Sequence, residues 1–232
     1  MNTLQGLQER YALQHDQLDA LVDADRDRQL AVRGLEIYYH ERLTSGPRFS
    51  GSLFDTFKGG GYRPEVANEF TSDDFVALGL LSMKPQVGII SVAYAVDTRL
   101  QANAEYLLGR VPADVPLHAA THSQINRSSP ADKLWNLIRG VENVGPVTAF
   151  KLLGRKRPHL LPIGDSEIKK YMGIERGDSV WECMWAWFQD PQHVAAVRSL
   201  RHEAGLEQQG VGLLRTVDVG MWMIQKGYIP SA

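Results

Sequence analysis

Along most of this chain apolar residues recur at intervals of three and four, and the pattern breaks at clusters of glycine, proline and short polar residues. Leu4, Leu7, Tyr11, Leu18, Leu21 and Val22, followed by Val32, Leu35, Ile37, Tyr38 and Tyr39, predict one helix or two over residues 2–43. Residues 16–28 mix charges of both signs and read as a solvated face. Residues 44–70 are rich in Gly, Ser and Pro with isolated aromatics, which predicts a loop holding at most a short strand pair. Thr71 and Asp74 have capping-box spacing ahead of Phe75, Val76, Leu78, Leu80 and Leu81, and Pro85 ends that helix. GIISVAYAV, near the start of residues 87–108, reads as strand or helix. The spacing of Val92, Val96, Leu100, Ala104 and Leu107 through a charged segment favours helix. Residues 111–128 form a loop.

The stretch 129–172 carries the clearest punctuation. Ser129 is a cap, Pro130 fits the first helical position, and Asp132 lies in the first turn. Leu134, Trp135, Leu137 and Ile138 then recur at helical spacing until Gly140. After the turn Glu142-Asn143-Val144-Gly145, Pro146 opens a second helix with Val147, Phe150, Leu152 and Leu153 as apolar positions. Gly154 reads as its stop, followed by Arg155-Lys156-Arg157-Pro158. A third helix starts at Asp165 and stops at Gly173. Trp181, Trp185 and Phe188 form one stripe of the next helix, with Trp187 off the stripe and free to contact a ligand. Two further amphipathic helices, residues 191–204 and 211–227, complete the chain before a loose tail.

The expected fold is therefore all-α, with at most a short β-hairpin near residues 48–60. Its organisation is an N-terminal helical lobe, residues 1–128, and a C-terminal lobe, residues 129–232, or one continuous domain. The length of 232 residues accommodates either. The net charge of −2 means that nucleic-acid binding would have to come from a local patch and be salt-sensitive. The single cysteine, Cys183, excludes an internal disulfide and any multi-cysteine zinc site, and fits a reducing cytoplasm. No apolar run reaches membrane length, and the N-terminus lacks the layout of a secretory signal, so a cytoplasmic location without membrane contact is expected.

Gly145 and Pro146 place backbone N–H groups at a helix start, where free donors and the helix dipole suit a phosphate. Lys151, Arg155, Lys156 and Arg157 would add sequence-independent attraction, or else form a solvated helix end that complements the dipole. In Lys58-Gly59-Gly60-Gly61-Tyr62-Arg63, three glycines permit close backbone approach to an anion, with Tyr62 stacking on a base; a mobile surface loop is the plainer alternative. His118 and His122 are four apart, with Asp114 nearby, but the glutamate of a zinc-protease helix is missing, and no metal is expected. Tyr38, Tyr39 and His40 are read as core rather than base contacts.

VENVGPVTAFKLL followed by LLPIGDSEIKK resembles the helix-hairpin-helix DNA glycosylase superfamily over residues 129–172. The chain as a whole is similar to a bacterial family of unknown function. The resemblance implies phosphate contacts from Asn143, Val144, Gly145, Val147, Thr148, Lys151, Arg155, Lys156 and Arg157. It implies a catalytic role for Asp165, which also suits a helix cap. It implies a hairpin at a cleft between two lobes, with double-stranded DNA as partner. No cofactor is expected, because one cysteine cannot hold the iron–sulfur cluster of some members; a monovalent cation at the hairpin is allowed. Two departures matter. Asn143 stands where the first hairpin glycine is usual, and asparagine tolerates a left-handed backbone best after glycine. Val147 stands where bifunctional members have their nucleophilic lysine, which disfavours Schiff-base chemistry. The implied activity is monofunctional base excision: a flipped-out base, with ionised Asp165 stabilising the sugar cation or orienting water. A non-catalytic DNA-binding module, and a helical protein with a purely structural hairpin and another ligand or partner, are the alternatives.

Overall fold

The computed structural model describes residues 3–83 and 97–229. The fold is all-α. In chain order the helices are α1 (Leu4–Arg10), α2 (Ala12–Val22), α3 (Arg28–His40), α4 (Ser72–Leu80), α5 (Thr98–Leu108), α6 (His122–Ile125), α7 (Pro130–Arg139), α8 (Pro146–Lys156), α9 (Ser166–Met172), α10 (Val180–Phe188), α11 (Pro191–Glu203) and α12 (Leu213–Lys226). Strands β1 (Arg42–Leu43) and β2 (Gly46–Pro47) form a two-residue antiparallel pair, Arg42 opposite Pro47 and Leu43 opposite Gly46. The strand pair thus precedes the expected region near residues 48–60, where Ser50–Leu53 and Phe57–Gly59 instead form single 3-10 turns. The strand-like reading of GIISVAYAV, and the first part of the helix expected over residues 87–108, lie outside the described residues.

The chain divides into two compact units that interleave along the sequence rather than following one another. The first comprises Met1–Phe49, Leu117–Ala119 and Gly164–Ala232. Within it α12 packs along α3 and α9. The approach to α3 is close: a Cβ on Gly34 would lie 2.9 Å from the Met223 Cβ, so glycine is required by packing. Every residue of α10 is buried. Trp187, expected to be free for a ligand, is only 1% exposed. Its Nε1 donates to Asp19 Oδ1 at 2.7 Å, and the His193 ring stacks on it at 4.4 Å. Periodicity found one apolar face on α10, but neighbours cover all of its faces.

The second unit comprises Ser50–Pro116 and Ala120–Ile163. Its irregular segment, residues 50–70, has too few ladder or helix bonds to satisfy its own backbone, and the end of α8 supplies the donors. Gly154 does not stop α8, which runs on to Lys156 and turns at Arg157, whose N–H bonds the Leu153 carbonyl. Arg155, Lys156 and Arg157 are each 0% exposed. Arg155 donates to Asp74 Oδ1 at 2.9 Å and to the carbonyls of Phe54 and Phe57. Lys156 Nζ reaches the Gly61 and Val66 carbonyls at 3.0 and 3.1 Å and Asp74 Oδ2 at 2.5 Å. Arg157 binds the carbonyls of Val111, Ala67 and Leu108, and Asn68 Oδ1, at 2.6 to 2.8 Å. Backbone carbonyls buried away from water need donors, and these three side chains provide them. Burial lowers the pKa of Lys156, with Asp74 opposing, and pushes Arg157 down to about 10, which leaves it a cation at neutral pH. Asp74 also closes the capping box with Thr71 at the start of α4.

Two outcomes are expected. Asp74→Ala leaves Arg155 and Lys156 buried without their countercharge and should cost about 3–5 kcal/mol in urea unfolding; a loss below about 1 kcal/mol would mean that carbonyls alone suffice. His15, whose Nε2 lies 3.0 Å from the Cys183 carbonyl, has its pKa lowered from 6.5 by burial, with that carbonyl and Asp19 pulling it back up. The unfolded ring therefore binds a proton more readily than the folded one. Stability should fall as pH drops through 6.5 and level off below the folded pKa. His15→Gln should flatten the urea midpoint between about pH 7 and about pH 5; an unchanged slope counts against this assignment.

Candidate functional site

α7 and α8 form the helical hairpin expected from the sequence, joined by residues 140–145. Ser129 Oγ accepts from the Asp132 N–H at 3.1 Å and Pro130 occupies the first turn of α7. In the turn, the Val144 N–H bonds the Val141 carbonyl at 2.9 Å, and the buried Val144 side chain anchors the loop. Asn143 has φ 64°, so this residue does occupy the left-handed region. Gly145 is the N-cap of α8, with φ −82° and ψ 168°. Glycine offers this end no capping side chain of its own, and the first turn holds no acidic residue. Trp135 ties the two helices together: its Nε1 donates to the Pro146 carbonyl at 3.3 Å and its ring packs on Phe150 at 5.1 Å.

Gly145, like Gly79 inside α4, is an exposed glycine of this unit that its surroundings leave open, and only Gly145 stands at a helix start. Its φ is open to any residue, and a Cβ there would meet nothing within 4 Å. Neither backbone geometry nor internal packing calls for glycine. What glycine does provide is an uncovered backbone at an uncapped helix start. Gly61 is the opposite case, since a Cβ there would sit 2.7 Å from Asp74 Oδ1 and 2.8 Å from Arg155 Cγ.

The residues expected to face DNA are divided by the fold. Asn143 and Gly145 are exposed, Val147 and Lys151 half-buried, and Val144 and Thr148 buried. Arg155, Lys156 and Arg157 are not a surface patch, because their charges are consumed by Asp74 and backbone carbonyls inside the unit. The glycine-rich loop is divided too: Lys58 and Gly59 are exposed, while its second half turns inward. Lys58, Gly59 and Gly60 have φ of 53°, 82° and 86°. Gly60 and Gly61 are buried, and Arg63 Nη1 straps the loop through the Lys58 and Gly60 carbonyls at 2.8 Å each. Tyr62 is half-buried and meets His159 edge-on at 5.5 Å. The glycines here serve close packing and left-handed turns, and the loop directs carbonyls toward internal cations rather than N–H groups toward an anion.

Asp165, half-buried, is the N-cap of α9, and its Oδ1 accepts from the N–H groups of Glu167 and Ile168, both at 3.0 Å. It belongs to the first compact unit and the hairpin to the second. Among the described residues no group of three or more His, Cys, Asp or Glu is arranged to hold a metal. No helix among the described residues is long and apolar enough to cross a membrane. The periodicity marks Trp135 only as an apolar helical position and gives no sign of Arg139, although the two are four apart on α7; the guanidinium lies 4.5 Å over the indole ring.

Fold and hairpin together define an all-α protein that presents an uncapped helix start behind a tight, left-handed turn. The chain belongs to a family of unknown function, DUF6308, matched over residues 31–225. No curated protein and no solved structure matches it.

The turn can be tested directly. Asn143→Gly should be neutral or slightly stabilising, whereas Asn143→Val should cost about 1–2 kcal/mol in thermal or urea unfolding, because a β-branched side chain resists φ near 64°. Equal stability of the two variants would remove the left-handed assignment.

Proposed function

We propose that this protein binds double-stranded DNA through its sugar–phosphate backbone at the start of α8. The observation that carries this reading is Gly145: an exposed N-cap glycine that neither φ nor packing requires, opening a helix with no capping side chain. A phosphate oxygen there would accept from the free first-turn N–H groups and meet the positive end of the helix dipole. The left-handed turn at Asn143 supports the resemblance to helix-hairpin-helix DNA glycosylases. Affinity is expected to be modest and salt-sensitive, since the net charge is −2, Glu142 is exposed in the turn and the Arg155–Arg157 side chains are interior.

The narrower form of the proposal is base excision with Asp165 as the residue that stabilises the sugar cation or orients water. Its support is the position of Asp165 at the start of the helix that follows the hairpin, with partial exposure. Capping alone also accounts for an aspartate there, so DNA binding without catalysis is the form the geometry supports better.

The test is anisotropy of a labelled duplex at low salt with Gly145→Asp, Gly145→Ser and Asp165→Asn, together with alkaline strand cleavage over a panel of damaged bases. Gly145→Asp supplies a favourable cap, so the fold is kept, but places a carboxylate at the phosphate position. Binding should weaken by at least about tenfold. Gly145→Ser, a cap without charge, should bind better than Gly145→Asp. Absence of duplex binding by the unaltered protein would overturn the proposal. Abasic-site formation lost in Asp165→Asn with binding retained would establish base excision; binding without processing of any lesion would leave the module reading.

A further inference from the structure

With Arg155, Lys156 and Arg157 taken into the interior and Lys151 half-buried, a second cation beside the hairpin would strengthen its hold on a polyanion. We infer that Arg139 is that cation, a phosphate-contacting residue held ready beside the hairpin by Trp135 and Asn136; this rests on the DNA-binding reading above. Arg139 is exposed in the last turn of α7. Its Nε donates to Asn136 Oδ1 at 3.0 Å. Asn136 is itself oriented by Asp132, donating through Nδ2 to the Asp132 carbonyl at 2.9 Å and to its Oδ2 at 3.0 Å. The guanidinium lies over the Trp135 ring, and the Trp135 indole N–H is bonded to the carbonyl of Pro146, the first residue of α8. One chain of contacts therefore links the cation to the helix start that would take the phosphate.

Arg139 combines an uncommitted charge, as any solvated arginine has, with a side chain that is already held in place. Among the described residues, its terminal nitrogens Nη1 and Nη2 have no protein acceptor and no carboxylate forms an ion pair with it. Its rotamer is already restricted by the indole face and the Asn136 amide, so less side-chain entropy is lost when an anion binds. A guanidinium held by its Nε edge and one face presents its remaining edge, the geometry that meets two phosphate oxygens at once. Lysine would keep the charge and lose both the stacking and the fork. The other role open to Arg139 is purely structural, as a cation complementing the C-terminal dipole of α7. That role would affect helix stability and leave the salt dependence of DNA binding untouched.

The test measures binding of the full chain to a fluorescein-labelled duplex of random sequence across about 25–200 mM NaCl. Compared are the unaltered protein, Arg139→Gln, Arg139→Lys, Trp135→Leu and Gly145→Asp, each checked by circular dichroism. Arg139→Gln is expected to weaken binding about five- to tenfold at low salt and to make the slope of log K against log salt shallower by about 1, one phosphate contact. Arg139→Lys should keep the slope and lose part of the affinity; Trp135→Leu should behave similarly, because the charge is retained but no longer held. If Gly145→Asp abolishes binding while Arg139→Gln changes neither affinity nor slope, the hairpin reading stands and the inference about Arg139 fails. If the unaltered protein does not bind, or Gly145→Asp binds normally, the hairpin reading fails and this inference with it.

Discussion

The second compact unit depends on three buried cations at the end of one helix. Arg155, Lys156 and Arg157 leave α8 in succession and take the carbonyls of Phe54, Phe57, Gly61, Val66, Ala67, Leu108 and Val111, with Asp74 as countercharge to two of them. A segment as irregular as residues 50–70 cannot satisfy its backbone by ladders or helical turns, and burying it unpaired would cost more than any side chain there could return. Charged donors solve this at the expense of their own desolvation, which is visible in the lowered pKa of Lys156 and Arg157. The same cluster explains why Gly61 has no side chain.

This arrangement changes the functional reading as much as the structural one. A run of Arg-Lys-Arg after a hairpin suggests a surface made for phosphates. Once the run is interior, the polar opportunities left at the hairpin are the backbone N–H groups of Gly145, Val147 and Thr148, the exposed Asn143 turn, and an arginine stacked on Trp135. Such a site would recognise a strand by position and hydrogen bonding more than by bulk charge, in keeping with a chain whose net charge is −2. The cap that Asp165 forms on α9 is a complete structural role by itself.

The sequence alone determined what depends on residues close together in the chain. The caps at Ser129, Thr71 and Asp165, the proline starts of α7 and α8, and the left-handed Asn143 all follow from hydrogen bonds and φ preferences within a few residues. So does the all-α class, through apolar spacing. Only the tertiary structure decided which of those residues face water. Trp187 lies off the apolar stripe of α10, yet Asp19 and His193 close over it, because α10 is surrounded on every side. Arg155 to Arg157 read as solvent-facing until carbonyls some ninety residues earlier in the chain are brought to them. Charge is legible in a sequence, but its exposure is set by partners that chain folding delivers from far away, and the candidate site at this hairpin turned on that difference.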